Sequence, residues 1–239
     1  SRILLYSGRV YDDNYTFVSG SEGLTSQLVI AASDDLAVFA DRDNLLSGCD
    51  LESRSILWQT QLPANNSYDI CVAGLTADQQ LLILQDKTGY GDDAIPAKLL
   101  SVDMNSGYLG QKELPLSASA EYSEYSIVKG LCGLWDDQFA YLVNGTTWDI
   151  NHTTGEISSK SADILMLLDS KTGDLQEYPL PVSGVAYLLP DTLGEKLLLG
   201  VPTEDTGMLC LILDRATGKV DMIDTPIMID AMANHAQAA

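Results

Sequence analysis

The sequence predicts an all-β chain assembled from four-stranded antiparallel repeats, and three observations predict it. One five-feature pattern recurs four times, the stretches before each copy are apolar in strand-length pieces, and helix-forming stretches are nearly absent. The pattern is an apolar run, an Asp, two or three residues, a Gly or its substitute, and a Pro about a dozen residues after the Asp. Its aspartates are Asp50, Asp103, Asp169 and Asp214. Its glycines are Gly107, Gly173 and Gly218, with Arg54 in that place in the first copy, and its prolines are Pro63, Pro115, Pro179 with Pro181, and Pro226.

Each feature has a physical reason. Asp-x-x-Thr-Gly after an apolar strand is a tight reversal, in which the Asp carboxylate accepts backbone N–H groups of the turn and the Gly supplies a positive φ. The segment after the Gly, residues 55–62 in the first copy and 219–224 in the fourth, is more polar and partly alternating, as an edge strand should be. Upstream of each Asp lie two further strands: 28–32 and 36–40, 70–75 and 80–85, 127–135 and 139–143, and 185–189 and 196–201. These inner strands are almost continuously apolar, which predicts that both faces of each sheet are covered. A sheet covered on both faces and repeated at roughly 45 residues or more is what a β-propeller needs, because each blade packs between its neighbours. A β-sandwich is the alternative; it explains the strands but not the recurring turn.

The blades are expected at 27–66, 67–118, 122–182 and 183–229, within a single domain spanning 1–239. Residues 1–26, with strands at 3–6 and 15–18, either close the ring by pairing with the last strand at 219–224 or belong to an incomplete blade. A closed ring predicts a monomer, whereas a piece of a longer chain would leave a blade face to be covered. Residues 229–239 have helix-forming composition and read as a frayed terminus.

These residues carry a resemblance. Val102-Asp103-Met104-Asn105-Ser106-Gly107, Leu168-Asp169-Ser170-Lys171-Thr172-Gly173 and Leu213-Asp214-Arg215-Ala216-Thr217-Gly218 resemble the Leu-Asp-x-x-Thr-Gly turn of quinoprotein-like β-propeller repeats. Trp58 resembles the tryptophan that follows this turn; the other copies have Gln111, Glu177 or Met222 nearby instead. The resemblance spans residue 27 to about 229. It implies blade architecture, and it implies a protein outside the cytoplasm: secreted, periplasmic or a lipoprotein. It does not choose an activity, since such blades serve dehydrogenases, outer-membrane assembly scaffolds and secreted sensors alike.

Thirteen Lys and Arg against thirty-four Asp and Glu leave a net charge of −21, which repels a phosphate backbone or an anionic lipid surface and argues against nucleic acid as a partner. Cations, basic partners and neutral ligands such as sugars suit this surface, and charge for solubility explains it equally well. The longest apolar runs, such as 164–168 and 209–213, are five residues, too short to insert across a membrane. No targeting segment is recognisable ahead of the first strand. Cys49, Cys71, Cys132 and Cys210 lie in or beside apolar strands and form no CxxC pair, so buried thiols are expected rather than zinc ligands or disulfides.

Binding is expected on the side that carries the connections between second and third strands of the blades, because these vary most in length. The connection at 86–97 sets Asp86, Asp92 and Asp93 among Gly89 and Gly91, oxygen ligands that suit calcium, with Tyr90 as a ligand-binding candidate. A plain glycine-rich turn is the alternative, for the ordered acidic register and terminal Glu of a calcium loop are missing. The connection at 144–162 carries Trp148, Asp149, His152 and Glu156. An exposed Trp beside carboxylates and amides suits a sugar ring or a peptide, whereas a Trp folded down would seal the blade. His152 and His235 are too few for a histidine metal site, and no nucleophile elbow, zinc helix, P-loop or dinucleotide fingerprint is present. The expected function is therefore a non-catalytic binding or scaffold module for a protein or glycan, without a cofactor. The alternative is a propeller enzyme: a lyase, a hydrolase or a quinoprotein-type dehydrogenase.

Overall fold

The computed structural model describes residues 2–4, 9–12, 17–20, 28–33, 35–41, 43–53, 55–63, 71–85, 96–117, 121–135, 138–189, 196–203 and 207–225. Asp86, Tyr90, Asp92, Asp93 and the tail 229–239 lie outside them. All regular structure among the described residues is β-strand, so no helix there is long and apolar enough to cross a membrane. The chain divides into two compact units, Ser1–Glu113 and Leu114–Ala239.

The first unit opens with β1 (Arg2–Leu4), β2 (Arg9–Asp12) and β3 (Phe17–Gly20), an antiparallel three-stranded sheet. These strands bond to one another in the order β1-β2-β3. Two four-stranded meanders follow: β4 (Leu28–Ala32), β5 (Leu36–Ala40), β6 (Leu45–Asp50) and β7 (Ile56–Gln61), then β8 (Cys71–Leu75), β9 (Gln80–Gln85), β10 (Lys98–Asp103) and β11 (Leu109–Glu113). The second unit holds β12 (Glu124–Trp135), β13 (Gln138–Ile150), β14 (Ile157–Asp169) and β15 (Leu175–Pro179), then β16 (Tyr187–Leu189), β17 (Lys196–Pro202), β18 (Met208–Asp214) and β19 (Lys219–Thr225). All four sheets pair in sequence order, as the repeated pattern predicts.

The apolar inner strands are buried on both faces. In β5 every residue is buried: Leu36, Val38 and Ala40 pack with Leu81, Ile83, Leu100 and Val102 of the next blade, while Ala37 and Phe39 cluster with Cys49 on the opposite face. In the second unit Ala140, Leu142, Leu165 and Leu167 meet Leu197, Leu199, Leu211 and Leu213, two sheets face to face. Tyr141 is buried on the other side of β13, where its hydroxyl donates to the Pro115 carbonyl at 2.7 Å. Burial first, and then Glu177, hold that phenol in its protonated form. Cys49 and Cys210 are buried thiols, and Cys71 and Cys132 are half-buried on their strands.

The repeated turn has the anticipated geometry. Asp103 Oδ1 accepts the amides of Asn105 and Ser106 and the Ser106 hydroxyl. Asp169 Oδ1 accepts the amides of Lys171 and Thr172, and Asp214 Oδ1 the amide and hydroxyl of Thr217. Gly107, Gly173 and Gly218 have φ of 71°, 81° and 66°, and each donates its N–H back to the Asp carbonyl at 2.8–2.9 Å. These bonds hold all three carboxyl groups below the usual range.

The turns also lock neighbouring blades. Trp58 on β7 lies over Gly107 in the next blade's turn, donates from Nε1 to the Met104 carbonyl at 2.8 Å, and covers Gly48 on its own sheet so closely that a Cβ there would fall within the ring. Tyr178 on β15 is the ring nearest Gly218 in the next turn, more loosely seated, with its Cε1 3.4 Å from where a Cβ would stand. The third repeat thus has its docking aromatic at Tyr178, one residue after the Glu177 seen in sequence.

Candidate functional site

β13 and β14 are thirteen residues each, about twice the length of most other strands. Their ladder runs unbroken from Gln138↔Asp169 to Ile150↔Ile157. β12 leaves the sheet at Glu124↔Thr146, and β15 covers only Ile164 to Leu168. Residues 147–150 and 157–160 therefore form a two-stranded arm, and β14 rises about 20 Å past the end of β15. The stretch 144–162, expected as a loop, is a β-hairpin.

The local reason lies in its turn. Asn151 Oδ1 accepts the amides of Thr153 and Thr154, Gly155 has φ 70° and donates to the Asn151 carbonyl at 2.7 Å, and the Glu156 amide donates to Thr154 Oγ1. Asn151-His152-Thr153-Thr154-Gly155 is the blade turn again, with an amide oxygen where the other copies use a carboxylate. The flanks are Thr, Trp, Ile and Ser, which suit a strand.

Alternation sorts the arm's side chains. Trp148 and Ile150 share one face with Ile157, which is opposite Ile150, and with Ser159, opposite Trp148. These three apolar side chains remain 53%, 49% and 63% exposed. Trp148 does not seal the blade core; its Nε1 donates to Glu124 Oε2 at 3.4 Å, at the same face. Asp149 is on the opposite face and His152 is exposed in the turn, so the structure groups Trp148 with two isoleucines rather than with these two polar residues. Ile150 and Ile157 went unnoticed in the sequence because they were taken for loop residues; the alternation of Thr146, Trp148 and Ile150 was the signal.

On the other face an aromatic pair overlies the base of the arm, while Asp149, Ser158 and Lys160 stay exposed. The Tyr122 ring lies on Gly145, where a Cβ would approach its Cδ2 to 2.6 Å, and it meets Tyr125 edge-on with centroids 6.0 Å apart. Lys160 Nζ is 5.7 Å from the Tyr122 centroid and 3.2 Å from Glu121 Oε1, a hydrogen bond that raises the ammonium above its usual range. At the arm's base Asp163, 3% exposed, accepts from Asn144 Nδ2 at 2.7 Å and from the amides of Gly184 and Val185 at 2.8 and 2.9 Å. It ties both arm strands to the segment leading into β16. Among the described residues no three His, Cys, Asp or Glu side chains gather as a metal site.

Similar solved structures include BamB from Moraxella catarrhalis (16% identity over 95% of this chain and 73% of that one, TM-score 0.46). A chain of the Mitotic Checkpoint Complex is 12% identical over 95% of this chain and 61% of that one, at a TM-score of 0.53. Quinohemoprotein alcohol dehydrogenase from Comamonas testosteroni is 11% identical over 81% of this chain and 39% of that one, at a TM-score of 0.44. The chain thus spans less than two thirds of the latter two. No family model matches the chain, and no curated protein is similar to it. The fold is that of β-propeller blades.

Proposed function

We propose that the chain is a non-catalytic binding module that holds a protein partner through the β13–β14 arm, outside the cytoplasm. The observation that carries this reading is the exposed face of Trp148, Ile150 and Ile157 on a hairpin whose base is fastened. Leaving three large apolar side chains about half in water forgoes roughly half of the 1.5–3 kcal/mol that full burial of each would contribute, and a partner recovers it. The fold itself does not choose between binding and catalysis; the arm favours binding.

The test replaces Trp148 by Ala and Ile150 and Ile157 by Ser together. Proteins retained from an extract of the source organism by the parent chain and not by the triple variant are then purified and titrated against both by calorimetry, alongside a glycan panel. Equal retention by both chains refutes the proposal, and binding confined to a glycan refutes its protein part.

A further inference from the structure

The arm has an open backbone edge. The Asn151 amide donates to the Glu156 carbonyl, which makes 151 and 156 a hydrogen-bonded pair of the antiparallel ladder. Such pairs alternate, so 149 with 158 and 147 with 160 bond across β13 and β14, while the N–H and C=O groups of Ile157, Ser159, Ser161 and Asp163 point away from β13. The Asp163 carbonyl confirms this direction, because it accepts the Leu180 amide at 2.9 Å. Beyond it, among the described residues, no strand pairs with Ile157, Ser159 or Ser161 on that side.

Exposed edges are ordinarily blocked by proline, by bulges, or by lysines. Residues 157–163 contain no Pro and the β13–β14 register has no shift, and their one lysine, Lys160, is exposed on the face away from Trp148, held by Glu121 and Tyr122. On the side of Trp148, Ile150 and Ile157 the edge is straight and carries no charge. The opposite face of the arm carries Asp149 and Glu156 beside Lys160, whose ammonium is already paired with Glu121, and the whole chain has a net charge of −21. A second copy brought to this edge would meet its own charge.

Accepting the arm as the binding element, we infer that the outer edge of β14 takes up an extended segment of the protein partner as an added strand, with apolar residues toward Ile157 and basic residues toward Asp149 and Glu156. Main-chain bonds to Ile157, Ser159 and Ser161 supply the attachment, and alternation of side chains supplies the selection.

The probe is a fluorescein-labelled peptide of about ten alternating valines and lysines, titrated by anisotropy. Controls carry glutamate for lysine, the same residues in two blocks, or N-methyl groups on alternate amides. The protein variant is Ser159→Pro. Ser159 faces Trp148 as a non-bonded pair, so its N–H is not used by β13 and proline removes only the outward donor. The alternating peptide is expected to bind, and Ser159→Pro and one N-methyl set are each expected to weaken it about tenfold or more. The glutamate and block peptides are expected to be weaker by a similar factor. Undiminished binding by Ser159→Pro together with undiminished binding of both N-methyl sets overturns the inference, as does equal binding of the block peptide or no binding of the alternating one. If Trp148→Ala with Ile157→Ser abolishes binding while Ser159→Pro does not, the arm remains the binding element and the added strand falls. A concentration-dependent dimer that Ser159→Pro dissolves makes a second copy the occupant and also overturns the inference.

Discussion

Replacing Asp163 separates a hydrogen-bond hub from a mere buried charge. The carboxylate accepts three hydrogen bonds, from Asn144 Nδ2 and from the amides of Gly184 and Val185, and the residue is 3% exposed. In Asp163→Ala the buried Val185 amide loses its acceptor, at a cost of about 1–3 kcal/mol, and the two other donors lose charge-assisted bonds but are nearer to water. Removing a buried charge offsets part of this, leaving a destabilisation of about 3 kcal/mol. For a unit of this size that is a fall of about 10 °C in melting temperature. Asp163→Asn should behave differently. Its one amide oxygen can face the two backbone amides if the Asn144 amide flips to present its own oxygen, and Thr146, whose hydroxyl now donates to Asn144 Oδ1, can rotate to accept instead. The cost then falls to about 1 kcal/mol, the loss of charge assistance. Calorimetric unfolding of the three proteins at neutral pH decides it. An alanine variant within 1 kcal/mol of the parent, or an asparagine variant as damaged as alanine, refutes the hub.

Gly107→Ala should destabilise by about 1–3 kcal/mol in a urea titration, because alanine is strained at φ 71° and its Cβ would stand 2.6 Å from the Trp58 ring; in a Trp58→Ala background the penalty should shrink toward the backbone part. Tyr141→Phe should cost about 1 kcal/mol, since the Pro115 carbonyl loses its donor inside the blade, and chemical denaturation measures it. Asp103, Asp169 and Asp214 have depressed folded values, chiefly through the Ser106 hydroxyl, the Thr172 amide and the Thr217 hydroxyl. Their contribution is therefore present above about pH 4 and is lost as pH falls through those values; replacing all three by Asn should flatten the acid limb of a melting-temperature profile. Burial raises the Cys49 and Cys210 thiols, so both should react with a water-soluble disulfide reagent far more slowly in the native protein than in denaturant.

What could be read from the sequence was local. The four blades, their order and the Asp-x-x-Thr-Gly geometry follow from side chains that act within five residues of one another, and these match the structure at Asp103, Asp169 and Asp214. Trp58 was legible as a repeat feature, but its seat on Gly107 required the next blade. Asp163 looked like one acid among thirty-four, and only the return of Gly184 and Val185 from beyond β15 gives it partners. Two of the three N-terminal strands were legible, whereas β2 between them was not.

The arm shows where the boundary lies. Its turn uses the blade template, yet Asn151 in place of Asp concealed it, although both side chains present the same acceptor oxygen to the same two amides. A turn of this kind specifies a reversal and says nothing of how far the flanking strands run. Thr146, Thr147, Trp148, Ile150 and Ile157 favour extension, and the exposure of the arm comes from where β12 and β15 stop, at Glu124 and at Pro179. The first is written in the alternation of Thr146, Trp148 and Ile150; the second belongs to neighbouring strands. An identical hairpin flanked by longer neighbours would be an ordinary inner pair of a blade. Here the neighbours end early, and the same residues become an exposed apolar face with a free edge.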